Sequence, residues 1–131
     1  MRLLLDTHIF LWLINDNRRL SDKYRQEIYD LNNELFLSVV SIWECVIKYQ
    51  IGKLNFPSSP EIYLPLQRRE HLIKTLTVDE NSIAQLINLP LRHRDPFDRL
   101  IISQALQYDL KIMTQDKAII AYPEIKILPA D

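Results

Sequence analysis

Leu3-Leu4-Leu5-Asp6-Thr7-His8-Ile9-Phe10-Leu11-Trp12-Leu13-Ile14 is apolar everywhere except at Asp6, Thr7 and His8. The unbroken leucine triplet reads as a strand buried on both faces, as parallel strands between two layers of helices are. Thr7–Ile14 reads as the helix that follows, and Asp6 stands at the junction where it can cap that helix. The run is far shorter than a membrane span and has no small-residue cleavage site, so neither an anchor nor a signal peptide is expected.

The same alternation continues along the chain. Ser21 can cap a second helix whose inward face is Tyr24, Ile28 and Leu31. Leu35–Val40 reads as a strand and Ser41–Tyr49 as a helix, with Gly52 suited to the left-handed position just past its end. Beyond the loop Phe56-Pro57-Ser58-Ser59-Pro60, Glu61–Leu72 reads as a helix that Pro65 kinks or delays. Ile73–Val78 is a short strand and Asn81–Leu89 a helix. Pro96–Tyr108 is an amphipathic helix, Leu110–Thr114 a strand, Lys117–Tyr122 a short helix and Ile125–Leu128 a last strand. Short connections between alternating strands and helices predict a three-layer α/β/α architecture around a parallel sheet, with residues 1–131 as a single domain.

Composition removes several functions. Only one glycine, Gly52, occurs in 131 residues, so glycine-built phosphate cradles such as a P-loop or a dinucleotide fingerprint are excluded. Sixteen Lys and Arg against 17 Asp and Glu leave a formal charge of -1, and any nucleic-acid partner must be met by a local basic patch. Cys45 is the only cysteine, which fits a reducing cytoplasm.

Function gathers where the strands of an open α/β sheet end and its helices begin. Asp6 follows the first strand. Glu44 falls in the first turn of the helix after Leu35–Val40, Asp95 and Asp98 open the Pro96–Tyr108 helix, and Asp116 follows the Leu110–Thr114 strand. Helix capping accounts for each acid taken singly: Ser41-Ile42-Trp43-Glu44 matches a capping box, and Asp95-Pro96-Phe97-Asp98 has proline at its favoured first position. Capping does not require all of them to meet at one sheet edge. Convergent carboxylates repel one another unless a counter-charge joins them. A hard divalent cation such as Mg²⁺ or Mn²⁺ resolves that repulsion and serves phosphodiester cleavage.

These residues, in this order, resemble the PIN-domain family, which includes PilT N-terminal-like nucleases and VapC toxins. The resemblance rests on Leu3-Leu4-Leu5-Asp6-Thr7-His8 with Leu11-Trp12, Ser41-Ile42-Trp43-Glu44, His93-Arg94-Asp95-Pro96-Phe97-Asp98-Arg99-Leu100, and Thr114-Gln115-Asp116. It implies an α/β/α sandwich and divalent-metal-dependent cleavage of RNA. It also implies a toxin held by an antitoxin protein encoded beside it. The family's acids fall on Asp6, Glu44, Asp98 and Asp116, with Thr7 and Thr114 at supporting hydroxyl positions. Asp95 is either a supporting ligand or the helix cap. Some relatives carry a further acid where this chain has Ile119, which puts a fully liganded second metal in question.

Arg92, Arg94, Arg99 and Lys117 are candidates for holding RNA phosphates, or else pair with the clustered acids. His8, His71 and His93 lack metal-binding spacing and are expected in structural or surface roles, with His8 against Trp12 one turn on. Trp12 and Trp43 are expected in the core or an interface, Cys45 packed inward, and Arg68-Arg69 on a solvated face. An excess of exposed Leu, Tyr and Trp would mark a homodimer face or an antitoxin groove. Competing functions are a receiver-type phosphoacceptor, which needs an aspartate ending a middle strand that Leu35–Ser41 does not supply, and a PIN-like adaptor that binds RNA or protein without cutting.

Overall fold

The computed structural model describes Met1–Asp131. Its strands are β1 (Arg2–Leu5), β2 (Glu34–Ser38), β3 (Ile73–Leu76), β4 (Lys111–Met113) and β5 (Lys126–Leu128). They form one sheet in the order β3-β2-β1-β4-β5, every neighbouring pair parallel. Leu3, Leu4 and Leu5 are all fully buried, because alternate residues of β1 face opposite helical layers. Leu3 and Leu5 join a core with Ile9 and Phe10 of α1 (Thr7–Ile14), Tyr24 and Ile28 of α2 (Asp22–Tyr29) and Leu64 of α4 (Pro60–Glu70). Leu4 joins the opposite core with Ile101, Ile102 and Ala105 of α6 (Pro96–Tyr108) and Ile119 of α7 (Lys117–Ile120). The remaining helices are α3 (Val39–Gln50), which sends Val40 to the second core and Cys45 to the first, and the short α5 (Glu80–Gln85).

The strand order locates the site. From β1 the chain builds outward through β2 and β3, then crosses by α6 to β4 on the other side of β1. The crevice at such a reversal lies beyond the carboxyl ends of the two strands that flank it. Here those are β1, followed by Asp6, and β4, followed by Thr114, and the Asp6 N–H donates to the Met113 carbonyl at 3.1 Å.

Several local expectations change. β2 stops at Ser38, and Ser38 rather than Ser41 caps α3, its hydroxyl accepting from the Val40 N–H at 3.1 Å. The capping box is therefore absent, and Glu44 lies beyond the first turn. Leu31 is 84% exposed, because α2 ends at Tyr29 before the next inward position is reached. α4 starts at Pro60 and runs through Pro65, which gives up one helical donor without ending the helix. The predicted Asn81–Leu89 helix is α5 followed by a 3₁₀ turn at Leu86–Asn88. Gly52 takes φ +80° just past the end of α3, the left-handed conformation expected of it.

Candidate active site

Asp6 is 3% exposed and fully engaged: Oδ1 accepts from the Ile9 N–H at 2.8 Å, and Oδ2 accepts from the Thr114 hydroxyl. Burial raises its pKa, while the hydrogen bonds from Thr114 and Ile9 oppose that shift. The Thr114 hydroxyl also accepts from the Asp116 N–H at 3.0 Å, so a single side chain ties the ends of β1 and β4 together. Beneath it, the Tyr24 hydroxyl donates to the Leu128 carbonyl at 2.5 Å and accepts from the Thr114 N–H at 3.1 Å.

Glu44, 4% exposed, projects from the second turn of α3 and lines a neighbouring cavity with Lys48, Lys53 and Asp95. The Thr7 hydroxyl donates to its Oε1 at 3.0 Å and is hydrogen-bonded to Ser41 Oγ at 2.9 Å. The other carboxylate oxygen, Oε2, accepts from the Lys48 ammonium at 2.8 Å. Burial works against the lysine's charge, but the hydrogen bond and attraction of Glu44 outweigh it and raise the Lys48 pKa. Sequence reasoning missed Lys48, although Glu and Lys four apart on a helix are facing neighbours.

Asp95 caps α6, accepting from the Phe97 N–H at 2.9 Å and the Asp98 N–H at 3.4 Å. That leaves Asp98, one turn in, to face the crevice. Its carboxyl is pushed up to about 7, first by burial and then by the Asp95 and Glu44 carboxylates. Asp116 caps α7 through Oδ1, which accepts from the Ala118 N–H at 2.8 Å.

His93 joins these last two acids. Its Nε2 lies 2.8 Å from Asp98 Oδ2 and 3.8 Å from Asp116 Oδ2. One donor atom each from His93, Asp98 and Asp116 falls within 4.8 Å of the others. The ring's Nδ1 accepts from the Asp95 N–H at 3.3 Å, which turns Nε2 towards Asp98. The expected structural or surface role for His93 therefore gives way to a place inside the acidic cluster. The signal for it was position, two residues before the cap Asp95 in the loop that opens the site.

The basic candidates divide. Arg99 donates to the Pro90 carbonyl at 3.0 Å and the Leu86 carbonyl at 3.4 Å, so it holds the loop that carries His93. Arg92 pairs with Glu124 at 3.4 Å and lies over the Tyr122 ring, away from the acids. Arg94 and Lys117 are exposed and enter no ion pair. Trp43 is 57% exposed and so lies outside the core, edge-on to Phe97 with ring centroids 5.0 Å apart. Trp12 is half-buried against the first core, with His8 at 6.3 Å between centroids. Arg68 is not a free surface cation, since it donates to the Ile73 carbonyl at 2.7 Å and joins α4 to β3. Ile119 is buried in the second core, so no further carboxylate follows Asp116 there.

Asp98 and Asp116 converge on His93, whereas Asp6 and Glu44 stand outside that group, tied to Thr114 and Ile9 and to Thr7 and Lys48; burial of Asp6 and Asp98 opposes their charge. Lys48 pairs with only one of these acids. The chemistry of these carboxylates fits a hard divalent cation.

A family profile described as the PIN domain matches residues 3–125. The chain belongs to the PIN-domain family. Ribonuclease VapC16 of Mycobacterium tuberculosis (strain ATCC 25618 / H37Rv) is 35% identical over 60 residues. The match takes in 46% of this chain and 43% of that relative, so less than half of the relative's length is spanned. VapBC2 from Rickettsia felis, solved bound to a DNA fragment from its promoter, superposes with a TM-score of 0.75 at 17% identity, over 98% of each chain. DNA-bound VapBC from Salmonella typhimurium gives 0.68 at 16% identity, over 100% of this chain and 99% of that one. FitAcB from Neisseria gonorrhoeae gives 0.66 at 16%, over 98% of each. At these identities the structures speak for the fold. The receiver reading gives way to the PIN-domain match, and β2 ends at Ser38 without the aspartate that reading looked for after Leu35–Ser41. No helix in the chain is long and apolar enough to cross a membrane.

Proposed function

We propose that residues 1–131 act as a single divalent-metal-dependent endoribonuclease, the toxin of a cytoplasmic toxin–antitoxin pair. The observation that carries this reading is the convergence of Asp98 and Asp116 on His93, beside Asp6, at the switch point of a PIN-domain sheet. Asp6, Asp98 and Asp116 would hold Mg²⁺ or Mn²⁺, with Glu44 completing the pocket. When bound, the cation neutralises phosphate charge and makes water a stronger nucleophile at neutral pH.

The chain's own residues prepare the site. Thr114 fixes Asp6, Thr7 fixes Glu44, and Asp95 fixes the start of α6 so that Asp98 is aimed inward. Lys48 removes one negative charge from the phosphate's approach. Arg94 and Lys117 grip flanking phosphates. In-line attack by water leaves a 5′-phosphate and a 3′-hydroxyl. The antitoxin covers apolar side chains left bare on α3 and α4, where Trp43, Tyr49, Ile62 and Leu66 are exposed. A homodimer would draw on the same kind of surface.

The test uses purified wild type, Asp6→Asn and Asp98→Asn, incubated with defined RNAs with and without Mg²⁺ or Mn²⁺. The expected result is metal-dependent cleavage with these product ends, abolished in both variants while circular dichroism shows them folded. Undiminished cleavage by either variant overturns the site. Metal-independent RNA binding without cleavage would instead favour the adaptor. Growth arrest on expression, relieved by co-expressing the neighbouring gene, tests the toxin role.

A further inference from the structure

A second cavity opens beside the acids. It has a volume of about 220 Å³ and is lined by Asp6, His8, Ile9, Trp12, Gln115 and Asp116. Drug-sized ligands occupy about 300–1,000 Å³, so this space suits one planar ring system. Asp116 belongs to both the cavity and the His93–Asp98–Asp116 cluster, so the two adjoin, and Asp6 lines the cavity wall.

Each wall has a chemical consequence. Trp12 is half-buried, packed against the first core with the His8 ring 6.3 Å away, and lines the cavity. Its indole N–H, the His8 ring nitrogens and the Gln115 amide make no hydrogen bond within the protein, which leaves donors and an acceptor unfilled around the opening. Gln115 is exposed and sits between Thr114 and Asp116, in the turn that carries Asp116 into the site. The two carboxylates on the inner wall repel a phosphate. They tolerate a neutral flat group that leaves its own phosphate to the acidic cluster.

Those properties describe a nucleobase. Bases of single-stranded RNA stack on aromatic faces and are read at their edges by side-chain amides. We propose that this cavity seats the base next to the scissile phosphate, with Trp12 as its stacking face and Gln115 as the reader of its edge. This assignment rests on the RNA-cleavage reading, and it makes the pair a determinant of sequence preference.

The experiment uses full-length Trp43→Phe protein, in which Trp12 is the sole tryptophan, with Ca²⁺ present to screen the carboxylates. Five-nucleotide homopolymers of A, C, G and U, end-labelled, are titrated while probe anisotropy and Trp12 emission are followed. The expected result is saturable quenching of Trp12 with unequal affinities among the four bases. Adding Gln115→Ala, a change at an exposed side chain, weakens the preferred base by at least about fivefold and levels the series. RNA that binds by anisotropy without changing Trp12 emission overturns the base site while leaving the nuclease reading intact. Equal affinities, unchanged by Gln115→Ala, overturn the edge reader. Absence of RNA binding together with absence of Asp98-dependent cleavage brings down the nuclease reading, and the base site with it.

Discussion

Asp98 faces a chemical conflict that a bound cation would relieve. Its carboxyl is pushed up to about 7 by burial and by the neighbouring acids, against 3.8 for an ordinary aspartate. Between these values the folded protein binds more protons at this site than the unfolded chain does, so stability falls as pH rises. The protonated side chain's contribution is fully present below about pH 4 and gone above about pH 7. Without metal, Asp98→Asn should therefore melt above wild type at pH 8, and the gap should close towards pH 4. Saturating Mg²⁺ or Mn²⁺ reverses the order at pH 8, since a ligand at a hundred times its dissociation constant adds about 2.7 kcal/mol to wild type. Thermal melts at both pH values, with EDTA or metal, check this; parallel wild-type and variant curves would remove Asp98 from the conflict. The positions of Asp6, Asp98 and Asp116 in the fold were legible in the sequence, because Asp6 and Asp116 follow strands and Asp98 falls in the first turn of α6. Lys48 and His93 were not. Lys48 is visible only once Glu44 turns inward, and His93 only once the loop held by Arg99 and Tyr122 folds over the α6 cap.

At the scale of elements, order and type could be read from the chain, whereas ends depended on which polar side chain captured the backbone. Ser38 and Ser41 are both competent caps by type, and the parallel ladder through Ser38 decides between them. The three-residue difference turns Glu44 from a cap partner into a buried group of the second turn. Gly52 offers a clean test of local backbone chemistry. A Cβ there meets nothing within 4 Å, so Gly52→Ala suffers only the left-handed φ of +80°. The expected loss is about 1 kcal/mol in chemical denaturation, with unchanged catalysis. Tyr24→Phe makes the opposite kind of change. It leaves the Thr114 N–H and the Leu128 carbonyl without their buried partner, at a cost of about 2 kcal/mol. Because Thr114 positions Asp6, that variant should also lose metal affinity in isothermal titration. A loss of stability alone would separate Tyr24 from the site.

For the whole molecule, a formal charge of -1 leaves no global field towards nucleic acid, so the proposed RNA substrate would be met locally. Arg92 and Arg99 spend their charge on Glu124 and on backbone carbonyls, which sequence could not reveal because their partners lie in distant segments or on the main chain. Arg94 and Lys117 remain as free cations of the basic group, one at each side of the Asp98–Asp116 pair along the chain. Each phosphate neutralised on a single strand contributes about -0.7 to the slope of log affinity against log salt. Two such contacts predict a shallow slope of about -1.4 for RNA binding to the Asp98→Asn protein at constant Ca²⁺. Arg94→Ala and Lys117→Ala should each flatten it by about 0.7 and weaken all RNA sequences alike, since phosphate contacts carry no base information. Anisotropy titrations across a range of KCl concentrations measure this directly. A slope left unchanged by both substitutions would move the phosphate grip elsewhere, and Lys53, exposed beside the Glu44–Lys48 cavity, is the cation to alter next.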